Sequence, residues 1–161
     1  MITLVRVDNR LIHGQVVEAW LPHLKVSRVV VADDEAAASP LIRAAMALAV
    51  QSAIEVQISP PSQVDFAALS RDPVKTLVLL RDVAVAPFAL THGLKLEHLN
   101  LGNVHFATGR RQVTPSVFLS EGEMQTLQRL AAAGVRVEVR AVPSEKPVEL
   151  ADAQERWGRA G

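Results

Sequence analysis

The stretch SRVVVAD, residues 27–33, is continuous in β-branched residues and shows no polar alternation. A strand of that kind offers no face to water and belongs in a parallel sheet covered on both sides. The rest of the chain suits such a sheet, because strand-like and helix-like stretches alternate along it. ITLVRVD (2–8), IEVQIS (54–59), KTLVLLRD (75–82), HLNLGN (98–103), QVTPSVFLS (112–120) and VRVEVRAV (135–142) read as the other strands. Pro115 places the stretch 112–120 at an edge or a bulge, since it cannot donate to a ladder. Residues 15–21 read as a short helix with Val16/Trp20 and Val17/Leu21 paired at i, i+4. Ser39-Pro40 opens a helix over roughly 40–50. Further helices are predicted over 62–69, with Ser62 or Ser59 as cap, and over 83–92. A last one follows the Ser120/Glu123 capping box, carries Met124, Leu127 and Leu130 as its apolar stripe and is closed by Gly134. This order predicts an α/β fold, an open, mostly parallel sheet with helices on both faces. One domain over 1–161 is expected, with a short polar tail from about 143 that holds a last helical turn or is mobile.

Open parallel sheets bind ligands outside the carboxyl ends of their strands, where strand order reverses. The first strand, often central, leads into VRVDNRLIHGQVVEAW, residues 5–20, which gathers Asp8, Asn9, Arg10, His13 and Gly14 in one strand-to-helix corner. A helix start offers free N–H groups and partial positive charge to a phosphate or carboxylate. Gly14 lets the backbone approach an anion without a Cβ in the way. Arg6 and Arg10 can neutralise a phosphate of charge about −1.5 to −2, and Asp8 can orient an imidazole or an arginine. A histidine beside such a cradle serves as a general acid or base, or its ring nitrogen accepts a phosphoryl group.

Composition narrows the partners. Seventeen basic residues balance seventeen acidic ones, so charge gives no reason to expect nucleic acid or an anionic membrane surface. The chain has no cysteine, which excludes disulfides and thiolate metal sites. No apolar run approaches the ~20 residues of a membrane span, and the first residues lack a signal-peptide pattern. A cytoplasmic protein is expected, without metal or organic cofactor.

VRVDNRLIHGQV closely resembles the active-site signature of the B component of enzyme II in the mannose/fructose/sorbose family of the bacterial sugar phosphotransferase system. The likeness continues through VVVADDE, LNLGNVHFATGRRQVTPSVFLSEGE and GVRVEVRAVPSEKPVEL, essentially the whole chain. It implies a largely parallel sheet with an antiparallel strand near one edge. It also implies a protein-Nπ-phosphohistidine–sugar phosphotransferase. By this resemblance His13 accepts a phosphoryl group on Nδ1 from a phosphorylated A component. It then passes the group to a sugar held by membrane C and D components, with the protein drawn to the inner face of the membrane by those partners. Arg6, Asp8, Arg10, Gly14 and Gln15 fall on signature positions for phosphate binding or docking. Asn9 stands where aspartate is common. The family's glycine turn reads Gly102-Asn103, and Arg110 lies where lysine is frequent, suited to docking a partner's acidic face.

Plainer readings stand beside these. Arg6 and Arg10 also suit surface salt bridges with Asp8 or Glu18, worth ~0–1 kcal/mol, and Arg110-Arg111 a solvated turn. His23, His92, His98 and His105 lack metal-ligand spacing and read as surface or capping residues. Asp33 and Asp34 read as caps of the turn after the second strand. Three function classes remain open: a phosphocarrier in sugar uptake, a regulatory phosphoprotein of the same family, and a non-covalent anion-binding module.

Overall fold

Val29, Val30 and Val31 are all fully buried, as a strand covered on both faces requires. They belong to β2 (Arg28–Ala32), one of nine strands: β1 (Ile2–Asp8), β3 (Glu55–Ser59), β4 (Thr76–Leu80), β5 (His98–Asn103), β6 (Arg111–Thr114), β7 (Val117–Leu119), β8 (Arg136–Val139) and β9 (Val148–Glu149) complete the set. In the computed structural model, which describes residues 1–161, seven strands form one sheet in the order β3-β2-β4-β1-β5-β8-β9. All neighbours pair in parallel except β8 and β9, so the antiparallel strand lies at the edge.

The helices are α1 (Leu21–Leu24), α2 (Asp34–Ala38), α3 (Pro40–Ala49), α4 (Phe66–Arg71), α5 (Val85–Thr91), α6 (Glu121–Ala132) and α7 (Leu150–Ala160). They divide the core in two. One face of the sheet packs Val5, Val7, Val78 and Leu99 against Phe66 of α4, Ala86 of α5, Leu127 of α6 and Ala153 of α7. The other packs Leu4, Val29, Val31, Leu77 and Leu79 against Leu11, Val16, Trp20, Leu21 and Ala36. Alternation along each strand assigns successive residues to the two cores.

Three local expectations are corrected. Residues 112–120 are not one strand. The turn at Pro115-Ser116 folds them into the antiparallel hairpin β6–β7, outside the main sheet, because a proline lacking its N–H sits better in a turn than in a ladder. The helix expected over 62–69 starts later: Pro61–Gln63 is a single 3-10 turn, and Asp65 rather than Ser62 or Ser59 caps α4 by accepting from the Ala68 N–H at 2.9 Å. The tail beyond 143 holds more than a single helical turn. It forms β9 and the eleven-residue α7, because Leu150, Ala153 and Trp157 make an apolar stripe at i, i+3, i+7. Ala153 is fully buried, and the Trp157 indole N–H donates to the Leu119 carbonyl at 2.7 Å.

β1 lies between β4 and β5. The chain leaving β1 turns toward β2 on one side, and the chain leaving β5 runs toward β8 on the other. The carboxyl ends of β1 and β5 therefore flank a point where strand connections diverge, the place where such sheets hold their ligands.

Candidate active site

β1 ends in Asp8, and the chain turns sharply before the next helix begins at Gly14. The turn is held from beneath by Leu11, fully buried although its φ is +57°. A leucine in the left-handed region is a strained residue, and its burial with Ile12 in the core under the loop keeps it there. Anchoring Leu11 and Ile12 inward turns Arg10 and His13 outward. The Arg10 side chain is 42% exposed and that of His13 14%, so the ring rests on the protein with one edge open.

The helix that follows is unusual in its first turns. Gly14 and Gln15 lead into a π-helical segment, Val16–Trp20, which runs on into α1. π-turns concentrate at functional sites. The N–H groups of His13, Gly14 and Gln15 donate to no protein acceptor and remain available to an anion. A Cβ on Gly14 would meet nothing within 4 Å, so this glycine faces open space.

Asp8 organises the corner. It is fully buried, and its Oδ2 accepts from His13 Nε2 at 2.7 Å, Asn103 Nδ2 at 2.9 Å and Arg6 Nη2 at 3.0 Å. Its Oδ1 accepts from the Arg10 N–H at 2.9 Å. Burial by itself would raise the Asp8 pKa. The hydrogen bond to His13, the Arg6 charge and the Arg10 N–H outweigh it and hold the carboxyl below its ordinary value. An ionised carboxylate only accepts, so Nε2 of His13 carries a hydrogen, and Nδ1 is the nitrogen left for a lone pair.

Arg6 departs from its expected place. Rather than lining an exposed phosphate cradle, it is fully buried. Its guanidinium donates to Asp8, to Asn100 Oδ1 at 2.7 Å and to the carbonyls of Arg140 and Ala141 at 3.1 and 3.0 Å. It lies 5.0 Å from the centre of the Trp20 ring. Burial lowers its pKa, against the opposing pull of Asp8. Gly102 is corrected with it: it lies within β5, where a Cβ would collide with the Arg6 guanidinium, so it makes room for Arg6.

Arg110 is likewise placed away from an exposed docking role. Its Nε and Nη2 grip Glu123 at 2.9 and 3.0 Å, and its Nη1 donates to the His105 carbonyl at 2.8 Å. Gln15 stays with the site, its Oε1 accepting from Arg10 Nη2 and Asn103 Nδ2, each at 3.2 Å. Arg10 thus pairs with Gln15 and sits 3.9 Å from Asp8 Oδ1. Asn9 ties the loop down: its Nδ2 donates to the Arg81 carbonyl at 3.0 Å, and its Oδ1 accepts from the His105 N–H. No negative charge is needed for either bond.

Asn100, Trp20 and Arg81 also build the site, and sequence reasoning assigned none of them a role there. Arg81 grips Asp33 at 2.8 and 3.0 Å and reaches the Asn9 carbonyl at 3.3 Å. The part Asn103 plays was open to topological reasoning, since it pairs across from Asp8 in the parallel ladder. His98 is no simple surface group, because its Nε2 lies 2.9 Å from buried Glu138. No group of three or more His, Asp or Glu side chains converges as metal ligands would.

Residues 2–157 match the family described as the PTS system sorbose subfamily IIB component. The chain is 32% identical over 150 residues to the N-acetylgalactosamine-specific phosphotransferase enzyme IIB component 2 of Escherichia coli (strain K12), covering 92% of this chain and 96% of the relative. It is 29% identical over 163 residues to the PTS system mannose-specific EIIAB component of the same strain, covering 94% of this chain but 48% of that protein, about half its length. The crystal structure of manxB from Thermoanaerobacter tengcongensis superposes with a TM-score of 0.86 at 27% identity, over 98% of this chain and 96% of that one.

Proposed function

Because this chain belongs to the sorbose subfamily of phosphotransferase-system IIB components, a phosphotransferase family of phosphocarriers in sugar uptake, we propose that Nδ1 of His13 is the atom that carries the phosphoryl group. The observation that supports this most is the 2.7 Å contact from Asp8 to Nε2, which occupies one ring nitrogen and leaves the other as nucleophile. The Nδ1 lone pair attacks phosphorus in line. The P–N bond of the donor histidine breaks, and its electron pair returns to the donor ring. His13 becomes a cation as the new bond forms, and Asp8 stabilises that charge through Nε2–H.

Transfer between two imidazoles exchanges one energy-rich P–N bond for another. Catalysis then rests on alignment and on screening charge. The phosphoryl oxygens meet the free N–H groups at Gly14 and Gln15 and the exposed Arg10 guanidinium. Arg6 acts one step back: it holds Asp8, and Asp8 holds the ring. The donor is a phosphorylated A component, and the acceptor is a sugar held by membrane components at the cytoplasmic face. No helix of this chain is long and apolar enough to cross a membrane.

The test is covalent. Incubated with its phosphorylated A component, the protein gains one phosphoryl group that survives alkali and is lost in acid. His13→Gln keeps the fold and gains none. A mutant labelled as readily as the wild type would place the carrier elsewhere.

A further inference from the structure

Beside the loop of His13 stands an aromatic side chain with no role in the transfer chemistry. Phe106 is 68% exposed, within a turn, residues 105–109, that is exposed throughout. We propose that Phe106 is the anchor on which the phosphoryl donor, the A component, docks. This rests on the reading of His13 as carrier.

The turn is held to the site at both ends. The His105 N–H donates to Asn9 Oδ1, one residue from both Asp8 and Arg10. Arg110 grips Glu123 of α6 and returns a hydrogen bond to the His105 carbonyl. Val104 exchanges backbone bonds with Ser116 and Phe118, each at 2.9 Å. The Phe106 ring itself is propped edge-on against Phe118, with centroids 5.8 Å apart and planes at 81°. Asn9 and Arg110, both first read as candidates for the phosphate site or its neighbourhood, thus serve to hold Phe106 beside it.

A rigid aromatic ring in water is the side chain that contributes most to an interface, because little further ordering is required when it is buried. The surface around His13 also defines what it fits. Phe106 calls for an apolar recess, while Arg10 and the unpaired N–H groups call for anionic charge. The loop's own carboxylate, Asp8, is paired with the buried Arg6 guanidinium at 3.0 Å, which offsets its charge toward an anion. A protein that presents a phosphohistidine next to an apolar recess satisfies all of these at once.

Phosphoryl transfer from the cognate phosphorylated A component to Phe106→Ala, followed against donor concentration, tests the proposal. Phosphoramidate, a small donor that forms no protein interface, serves as reference. The donor concentration for half-maximal transfer should rise about tenfold or more, with the saturating rate and phosphoramidate labelling of His13 within about twofold of wild type. Phe106→Leu, which keeps an apolar side chain, should recover most of the loss. An unchanged half-saturating concentration would overturn the anchor. So would an equal fall with both donors, which would make Phe106 a support of the His13 loop. Failure of the His13 assignment is seen separately, as label persisting in His13→Gln, and the half-saturation of Phe106→Ala is measured whichever residue carries the group.

Discussion

The charges in this corner divide by depth, and depth sets what each one does. Arg6 and Asp8 are fully buried, whereas Arg10 is exposed. Removing one partner of a buried ion pair leaves the other uncompensated, at a cost of about 3–5 kcal/mol. Arg6→Leu is therefore expected to lower the urea midpoint sharply at neutral pH. Arg10→Ala should stay within about 0.5 kcal/mol of wild type, as exposed substitutions do, yet slow transfer from the phosphorylated A component by more than about tenfold. Equal stability losses in the two variants would contradict the division. The two glycines separate in the same way. Gly102→Ala drives a methyl into the Arg6 guanidinium, and overpacking of about 1–3 kcal/mol corresponds to a melting temperature lower by several degrees. Gly14→Ala meets open space and should melt within about a degree of wild type by calorimetry. His13, Asp8 and Arg10 were legible in the sequence because they cluster within six residues. The depth of Arg6 was not, because it depends on Asn100, Gly102 and the carbonyls of 140–141, which only the folded sheet brings near.

At the scale of elements, the strands were readable wherever burial on both faces left a continuous apolar run, as in β2 and β4. Elements that depend on distant support were not. The π-segment after Gln15 cannot be told from an α-helix by i, i+4 spacing, and the hairpin at 111–119 resembled a single strand because buried Val113, Val117 and Leu119, an even number of residues apart, keep one alternation across the turn. α7 was hidden by its polar composition, although Leu150, Ala153 and Trp157 give it one apolar side. Trp157 closes that side, with its N–H on the Leu119 carbonyl and the Arg111 guanidinium 3.8 Å from its ring centre. Trp157→Ala should cost about 2–3 kcal/mol, below the ~3–5 kcal/mol of a fully buried tryptophan because it is only partly buried. A denaturation midpoint equal to that of the wild type would make α7 a loosely held appendage.

For the molecule as a whole, parallel order around a central β1 places the His13 loop where connections diverge, and that placement was open to sequence reasoning from strand–helix alternation and the usual central place of a first strand. The buried carboxylates make the molecule sensitive to acid. Asp8 and Glu138 both titrate below their ordinary values: burial opposes this in each, and the close His13 and His98 rings with nearby cations prevail. Their contribution is complete above the unfolded carboxylate range of about 3.9–4.3 and is lost as pH falls through the lower folded values. Partly desolvated Asp82 is shifted the other way and offsets some of it. The urea midpoint should therefore fall between about pH 5 and pH 3, and Asp8→Asn should flatten that fall; an unaltered slope would remove Asp8 from the acid response. The central claim, that Asp8 holds Nε2 so that Nδ1 accepts the phosphoryl group, is tested most directly by 15N NMR of the phosphorylated protein labelled at histidine. The account predicts a single phosphohistidine, His13, substituted at Nδ1 and protonated at Nε2. Phosphorylation of His13 at Nε2, or of any other residue, would contradict it.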